Sequence, residues 1–388
     1  MLFFVAMLLI LLKTLTIIIA SAYGFLLSYY REWFLKVAHF NSTEKHQAQT
    51  SFSIIIPARN EEKNIEKCLQ SIINQTYPKH LFEIIVIDDH STDKTSLVVE
   101  SFQSKNQNIH LLKLKDDLAG KIINAYKKKA IELAINKAKG DWIITTDADC
   151  LLHQDWLKLY DEFIITNDVV FVAAPVMFTK TKTILSLFQF IDFMALQATT
   201  AAAVAAGFHS MCNGANLAYN KKVFVEVGGF RGIDNIASGD DMLLMNKIKK
   251  RYPLKIGYLY HKNAIVITAP MPTWKSFINQ RIRWASKVDT YKDKTLLPTL
   301  LLIYLFNLSI IIWFTASMFN SNLWLFTVVL LAIKILVDWR FLKTGFQFFG
   351  KVGLINFVLL QPLHILYIII AGWLGKFGSY SWKGRKVK

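Results

Sequence analysis

The sequence has few cysteines and lacks the common strings that bind phosphates or metals through glycine loops or thiolates. Its three cysteines, Cys68, Cys150 and Cys212, are widely spaced and form no Cys-x-x-Cys pair. This pattern indicates neither a disulfide framework nor a thiolate metal site, and it fits a reducing compartment. Neither a Gly-x-Gly-x-x-Gly nor a Gly-x-x-x-x-Gly-Lys-Ser/Thr string occurs, which disfavours a dinucleotide-binding fold and a P-loop.

Acidic residues are also scarce, with 28 Asp and Glu against 45 Lys and Arg and a net charge of +17. Much of the excess lies beside long apolar stretches, where basic residues favour anionic lipid headgroups. The central polar segment carries no basic stripe with interleaved aromatic residues, which argues against nucleic acid as a partner. The charge therefore predicts a membrane surface as the partner.

Long apolar stretches are abundant at both ends of the chain. The stretch from Leu2 to Ala20 holds one charge, Lys13, and continues apolar to Tyr30. At about 1.5 Å per residue it is long enough to cross about 30 Å of hydrocarbon. We interpret residues 1–30 as an uncleaved transmembrane anchor; the alternative is a signal peptide cleaved near Ser21-Ala22-Tyr23-Gly24.

Three further apolar blocks, within residues 296–375, predict C-terminal transmembrane helices: Leu296 to Phe319, Leu323 to Val337 and Gly353 to Leu374. Basic residues follow the first span and precede the second, which predicts a cytoplasmic central domain in an integral protein of the inner membrane. Three later spans would leave the basic tail, residues 376–388, outside, although its lysines favour the inside. One block is therefore either re-entrant or interfacial. The few spans and the absence of an internal repeat disfavour a transporter.

Residues 51–275 alternate apolar strand-like runs with helical patterns, which predicts an α/β domain with a parallel sheet. The predicted strands are Phe52 to Ile56, Phe82 to Ile87, Ile109 to Leu114 and Trp142 to Thr146, and helices are predicted from Asn60 and over Lys121 to Ala138. Acidic and polar clusters follow three of these strands, where ligands bind in such sheets. Ile184 to Phe208 predicts an Ala-rich helix with one charge, Asp192; it lies on the membrane, lines an acceptor site or is a buried core helix.

Each acidic pair in the sequence allows two interpretations, a structural one and a functional one. Asp147 and Asp149 follow a strand, where they either cap the next helix or hold Mg²⁺ or Mn²⁺ together with substrate phosphates. Asp240 and Asp241 stand at a predicted helix start and either cap it or face a cleft as a base. Arg283 and Trp284, in residues 276–295, are either an interfacial anchor or a diphosphate and sugar contact.

Together these strings resemble the membrane-integrated glycosyltransferases of family 2, which have the GT-A fold of nucleotide-diphospho-sugar transferases with flanking transmembrane helices. The resemblance covers about Phe52 to Trp284. It rests on six strings in the family's order: Ile56 to Glu62, Ile87 to Asp93, Gly140 to Asp149, Asn213 to Asn216, Gly239 to Asp241 and Gln280 to Trp284.

The resemblance implies the role of each site residue. The donor nucleotide would be bound by Pro57, Ala58, Arg59, Glu61, Asp88, Asp89, Lys121 and Asp147. Asp147 and Asp149 would bind the metal, and Asp241 would be the catalytic base. Asp240, Gln280, Arg283 and Trp284 would contact the acceptor and the diphosphate, as in cellulose, hyaluronan and poly-N-acetylglucosamine synthases.

The resulting hypothesis is an inverting enzyme that transfers a sugar from a UDP-sugar to a polysaccharide or lipid-linked acceptor at the cytoplasmic membrane face. The family's more usual Glu-Asp pair is Asp240-Asp241 here, and only one span precedes the domain, which argues against a complete polymer channel. The alternatives are a glycolipid-forming transferase that adds one or a few sugars and, in another class, an inactive scaffold that binds sugar nucleotides.

Overall fold

A computed structural model describes residues 2–43, 46–118, 123–179, 182–287, 293, 295–382 and 385–387. The helices within this part of the chain are α1 Leu2–Leu35, α2 Ile65–Ile73, α3 Thr95–Gln103, α4 Leu114–Leu118, α5 Tyr126–Lys137, α6 Trp156–Thr166, α7 Ile184–Ala206, α8 Lys221–Glu226, α9 Asp240–Arg251, α10 Trp274–Ala285, α11 Leu296–Phe319, α12 Trp324–Thr344, α13 Phe346–Phe349 and α14 Leu354–Phe377. The strands are β1 Phe52–Ala58, β2 Phe82–Asp88, β3 Ile109–Lys113, β4 Trp142–Thr145, β5 Phe171–Ala173, β6 Val176–Phe178, β7 Leu217–Asn220, β8 Ile256–Tyr258, β9 Val266–Thr268, β10 Tyr380–Trp382 and β11 Arg385–Val387.

A seven-stranded sheet in the order β3-β2-β1-β4-β7-β5-β8 forms the centre of the domain. The first four strands pair in parallel, whereas β7 runs antiparallel to both β4 and β5. Strands β1, β2 and β4 are buried almost throughout, because continuous apolar runs can be covered by helices on both faces. The α/β GT-A fold is confirmed, but the sheet is mixed rather than wholly parallel.

The four predicted strands lie within one or two residues of their predicted ends, and two predicted helices begin later. Helix α2 begins at Ile65 rather than Asn60, because residues 60–64 form a turn in which Asn60 has a positive φ of 53°. Helix α5 begins at Tyr126; residues 121 and 122 lie outside the described part of the chain. Apolar residues at positions 65, 68, 69 and 72 bury one face of α2, as helical spacing requires.

The linker that follows α1 is fixed to helix α6 by two buried carboxylates. Glu162 accepts a hydrogen bond from Thr43 Oγ1 over 2.7 Å, and Asp161 accepts one from the backbone N–H of Thr50 over 2.9 Å. These contacts attach the segment after the long N-terminal helix to the sheet domain.

In the described part of the chain, four helices are long and apolar enough to cross a membrane by length and composition: Ala6–Leu35 of α1, α7, α11 and α14. Helix α12 is as long as a span but contains Lys334, Asp338 and Arg340. Helices α1, α11 and α12 pack side by side: Thr16 contacts Trp313, and Tyr23 contacts both Phe306 and Asp338. The apolar faces of this bundle that contact no other helix are exposed.

Helix α7 lies between the sheet domain and this bundle. Its candidate segment is 72% buried, against 17% for that of α1. Gln197 contacts the backbone of Val176 in the domain, and the residues that follow α7 contact Tyr29 and Tyr30 of α1. A helix that is covered on most sides is a buried core helix, which was one of the three alternatives for this segment.

Candidate active site

A cleft of about 300 Å³ opens at the carboxyl ends of β1 and β4. Its walls are polar at the sheet and apolar near α7 and α10. The predicted residues that line it are Pro57, Glu61, Asp147, Asp149, Asp240, Asp241, Gln280, Arg283 and Trp284. Residues more than 200 positions apart in the sequence therefore meet in one cleft.

The first carboxylate pair, Asp147 and Asp149, follows β4. Asp147 Oδ1 lies 2.9 Å from Lys127 Nζ, and Asp149 Oδ2 accepts a hydrogen bond from Thr268 Oγ1 over 3.1 Å. Within the described residues no group of three or more His, Cys, Asp or Glu side chains has the arrangement of a metal site. Two carboxylates fit Mg²⁺ or Mn²⁺ only where substrate phosphates and water complete the coordination.

The second pair, Asp240 and Asp241, begins helix α9. The positive φ of Gly239, 77°, turns the chain into the helix so that both side chains face the cleft. Asp241 Oδ2 accepts a hydrogen bond from the backbone N–H of Gly214 over 3.0 Å, and Asp240 Oδ2 lies 3.5 Å from Lys127 Nζ. Lys127 therefore bridges the two carboxylate pairs.

The charges around the second pair separate the pKa values of its two acids. Burial raises the pKa of Asp241, and the negative charge of Asp240 raises it further. Burial would also raise the pKa of Asp240, but the lysines around it, chiefly Lys127, hold that pKa below its ordinary value. Two neighbouring acids with pKa values shifted in opposite directions are a common feature of catalytic sites.

The loop that carries this pair is held by a buried lysine. Lys128 Nζ donates to the backbone carbonyl of Ser238 over 2.7 Å and to that of Ile236, and its side chain is almost wholly buried. Adjacent lysines thus have different tasks, since Lys128 fixes the loop before α9 while Lys127 faces the cleft.

Local hydrogen bonds hold the predicted Asp88-Asp89 turn. Asp88 accepts hydrogen bonds from the backbone N–H of Ser91 and from Ser96 Oγ, at 2.9 and 2.6 Å, which fix the turn between β2 and α3. Arg59 donates to the backbone carbonyl of Asp89 over 2.9 Å. Ala58, Arg59, Asp88 and Asp89 are not among the residues that line the cleft, and Lys121 lies outside the described residues.

The cleft also contains residues that the sequence did not identify. Lys287 lies one turn after Arg283 and lines the cleft, and burial lowers its pKa to about 8 against the opposing influence of Asp241. Apolar side chains of Phe178, Phe193 and Met271 form the opposite wall. A lysine close behind an Arg-Trp string was a possible signal for Lys287. The three wall residues come from three separate parts of the chain and gave no common sequence signal.

The string Asn213-Gly214-Ala215-Asn216 divides into a site residue and a structural one. Asn216 is fully buried and satisfies both ends of its amide: it accepts from Trp156 and Tyr160 and donates to the carbonyls of Pro175 and Ala264. Gly214 lies beside the acids of α9, where it brings a backbone N–H to Asp241.

The sheet order and the two carboxylate pairs at its carboxyl edge define a GT-A domain. The fold matches that of the mannosyltransferase PcManGT from Pyrobaculum calidifontis, solved with GDP-Man and Mn²⁺, with a TM-score of 0.60 at 19% identity over 94% of this chain and 98% of that one. The chain belongs to the glycosyl transferase family group 2, which it matches over residues 142–371, and it matches glycosyl transferase family 2 over residues 53–228.

Curated relatives match parts of the chain. A probable glycosyltransferase of Bacillus subtilis, YdaM, is 30% identical over 60% of this chain and 54% of its own length. An N-acetylglucosaminyltransferase of Rhizobium meliloti is 26% identical over 64% of this chain and 57% of its own. A dolichyl N-acetyl-glucosaminyl phosphate glucuronosyltransferase of Methanococcus voltae is 41% identical over 27% of this chain and 31% of its own. The chain thus spans about half or less of these relatives.

Proposed function

We propose that the protein transfers a sugar, with inversion, from a nucleoside-diphosphate sugar, a UDP-sugar, to a lipid-linked or polysaccharide acceptor. The observation that carries this proposal is that two carboxylate pairs, Asp147 with Asp149 and Asp240 with Asp241, face one cleft on either side of Lys127. One pair suits the donor diphosphate and its metal, and the other suits an acceptor hydroxyl.

Asp241 would act as the base. Its neighbour Asp240 is held ionised by Lys127, whereas the raised pKa of Asp241 makes it the better proton acceptor of the two. It would remove the proton of the acceptor hydroxyl as that oxygen attacks the anomeric carbon and the nucleoside diphosphate departs. A single displacement needs one base, unlike glycoside hydrolysis, which requires two carboxyl groups.

Asp147 and Asp149 would hold the divalent metal, with donor phosphates as the remaining ligands. When bound, Mg²⁺ or Mn²⁺ would offset the charge that develops on the leaving diphosphate. Arg283 and Lys287, on the same wall of the cleft, would supply further positive charge there. The mannosyltransferase of similar fold was solved with Mn²⁺ and a GDP-sugar, so the metal is supported more directly than uridine.

The acceptor would lie against the apolar wall. The rings of Phe178 and Phe193 stack with centroids 4.3 Å apart, and Phe193 and Trp284 lie 6.3 Å apart. Aromatic faces suit the apolar face of a sugar ring, and this wall is formed in part by α7 and α10, beside the apolar helices. The dolichyl-phosphate-linked acceptor in the name of the Methanococcus relative supports a lipid-linked acceptor over a free polysaccharide.

The test is nucleoside diphosphate release by the full chain in lipid nanodiscs. UDP-linked sugars and GDP-mannose are offered with Mn²⁺, Mg²⁺ or EDTA, with lipid extract or oligosaccharides as acceptors. We expect metal-dependent release that Asp241→Asn abolishes and that Asp234→Asn, an exposed acid outside the cleft, retains. Product size and extraction into organic solvent separate polymer from glycolipid. Nucleotide binding without release under every condition would favour the inactive scaffold instead.

We propose further that the cleft faces the cytoplasm and that only α1, α11 and α12 cross the membrane. Both ends of α14 contact elements on the catalytic-domain side: Phe357 packs on Trp339 near the end of α12, and Gly375 meets Ala285 at the end of α10. Strand β10 also lies beside α10. A re-entrant α14 keeps the basic tail on the same side as the domain, which agrees with the positive-inside rule.

Cysteine accessibility tests this topology in intact cells. A membrane-impermeant maleimide should label Asn322→Cys, in the exposed turn before α12, from the outside. It should label Ser379→Cys, which follows α14 and is exposed, only after permeabilisation. Labelling of both from the outside would mean that α14 crosses.

A further inference from the structure

A buried ion pair joins α10 to α7 beneath the cleft. Arg281 Nη2 lies 2.6 Å from Asp192 Oδ2, and the two side chains are 3% and 4% exposed. Tyr367 of α14 donates to the other oxygen of Asp192 over 2.8 Å. Asp192 is the one charged residue in α7, so an otherwise apolar helix places its only carboxylate at this junction.

Both members of this pair have a sequence neighbour that lines the cleft. Phe193 follows Asp192 directly, and Trp284 lies one helical turn after Arg281. Both rings line the cleft. The guanidinium of Arg281 lies 4.1 Å from the ring centroid of Trp284 and 4.7 Å from that of Phe277. Its Nη1 also donates to Gln280 Oε1 over 3.2 Å.

We infer that Arg281, Asp192 and Tyr367 are positioning residues that fix the distance between Trp284 and Phe193. They thereby determine the shape of the aromatic part of the cleft that would bind the acceptor. Arg281 stacks against Trp284 while its charge is held by Asp192, so the ring cannot turn without exposing or unpairing a buried cation. Tyr367 fixes the second carboxylate oxygen, and therefore α14 helps to hold α7 against α10. This inference rests on the proposed function, because only that function makes the aromatic wall an acceptor site. The contacts among the three residues do not depend on it.

A single substitution is a poor test, because removal of one partner leaves a buried charge unpaired and destabilises the fold. The double variant Arg281→Met with Asp192→Asn removes both charges and keeps the volumes similar. Arg281→Lys in the native background keeps the charge but loses the flat guanidinium that stacks on Trp284. Tyr367→Phe removes one hydrogen bond and no charge.

The chain contains a matched control. Lys334 Nζ lies 2.6 Å from Asp338 Oδ2, and Tyr23 donates to Asp338 Oδ1, so a cation, an aspartate and a tyrosine again contact one another. Here the ion pair lies within α12, and only the tyrosine comes from another helix, α1. The side chains of Lys334 and Asp338 are 0% and 11% exposed. Among the described residues, none of the hydrogen bonds, ion pairs or ring contacts of this second triad involves a residue that lines the cleft. Lys334→Met with Asp338→Asn therefore removes a pair of similar burial away from the cleft.

The experiment measures acceptor kinetics and nucleotide affinity of both double variants in nanodiscs. For Arg281→Met with Asp192→Asn we expect kcat/KM for the acceptor to fall by about tenfold to 100-fold, since small misplacements cost that much. Nucleotide affinity should not change, and the control double variant should retain the acceptor kinetics of the native protein. Tyr367→Phe should lie between the native protein and the double variant, and Arg281→Lys should lose less kcat/KM than the double variant. Equal losses in both double variants, or an unchanged kcat/KM in the first, would overturn the proposal.

Hydrogen exchange gives a readout that needs no turnover. The amides of α10 should exchange faster in the Arg281/Asp192 double variant and at the native rate in the Lys334/Asp338 one. If the native chain transfers no sugar, the proposed function fails while this measurement still decides the positioning role. Unchanged exchange across α10 in the first double variant would show that the ion pair does not hold this helix.

Discussion

The backbone N–H of Gly214 donates a hydrogen bond to Asp241 Oδ2 over 3.0 Å. Thr145, the last residue of β4, holds the carbonyl of the same glycine over 2.7 Å. Gly214 thus links the strand that precedes Asp147 to Asp241 in the first turn of α9. A Cβ at position 214 would lie 3.3 Å from Asp240 Oδ2 and 3.6 Å from Asp241 Oδ2, so a side chain would enter the space between the acids and the cleft.

Gly214→Ala should therefore lower turnover without unfolding the protein. The tightest contact of the added methyl group is with the end of a side chain, Asp240 Oδ2, rather than with backbone, so this carboxylate shifts and disturbs its pairing with Asp241. We expect a fall in kcat of about tenfold to 100-fold with an unchanged unfolding temperature. The matched control is Gly353→Ala, where the new Cβ meets only Asn356 at 3.7 Å. Full activity in Gly214→Ala would contradict the role of this contact.

Lys127 would compete with the proposed metal for Asp147, because its ammonium occupies one carboxylate oxygen at 2.9 Å. Lys127→Met should bind Mn²⁺ more tightly in the absence of nucleotide and yet turn over more slowly, since Asp240 loses the cation that holds its pKa low. Electron paramagnetic resonance of free Mn²⁺ measures the first effect and steady-state kinetics the second. Lys129→Met, whose side chain is 41% exposed, serves as the control. Weaker Mn²⁺ binding in Lys127→Met would show that the lysine assists the metal.

The fold could be predicted where the sequence carries periodicity. Strands β1 to β4 are apolar runs of four to seven residues with polar ends. Their positions, and the acids that follow them, could therefore be predicted from the sequence. Strands β5 and β8 have three residues each, too few for a pattern, and the antiparallel β7 depends on long-range pairing. The mixed sheet was therefore not predictable from local signals.

The candidate site was likewise predictable from the sequence only in part. The acids of the cleft stand in short strings, and sequence identified them without their partners. Asp192 was visible as a single charge in an apolar helix, but its partner Arg281 lies 89 residues away, and only the packing of α7 against α10 brings them together. Asp88 belongs to a similar acidic string, yet the nearby Ser91 and Ser96 use both of its oxygens.

The acid limb of the pH profile should report Asp241. A base acts in its ionised form, so kcat/KM should fall as the pH drops through the pKa of Asp241, which burial and the charge of Asp240 raise. Asp240→Asn removes the negative neighbour and should therefore move this limb to lower pH, even if the maximal rate falls. The pH dependence of kcat/KM in the two proteins measures the shift, and a limb that moves to higher pH would argue against Asp241 as the base.

The alkaline limb should report Lys287. Burial lowers the pKa of this lysine to about 8, so its positive charge in the cleft is present below that pH and lost above it. Because arginine stays protonated at all accessible pH values, Lys287→Arg should move the alkaline limb upward. Lys275→Arg, in the first turn of α10 and outside the cleft, is the control. An alkaline limb that stays in place in Lys287→Arg would assign it to another group.

Gly140 is required by packing rather than by chemistry. It precedes β4, and a Cβ at this position would lie 2.5 Å from both the carbonyl carbon of Phe52 and the backbone nitrogen of Ser53. Backbone atoms of β1 cannot yield as side-chain ends do, so β4 would have to move away from β1. Gly140→Ala should lower the free energy of unfolding by about 1 to 3 kcal/mol, the usual cost of overpacking. Thermal unfolding in detergent measures this, with Gly353→Ala again as the control. Because Asp147 and Asp149 follow β4 directly, the surviving folded fraction should bind Mn²⁺ and nucleotide more weakly. A variant with the native unfolding temperature would mean that the two strands separate at little cost.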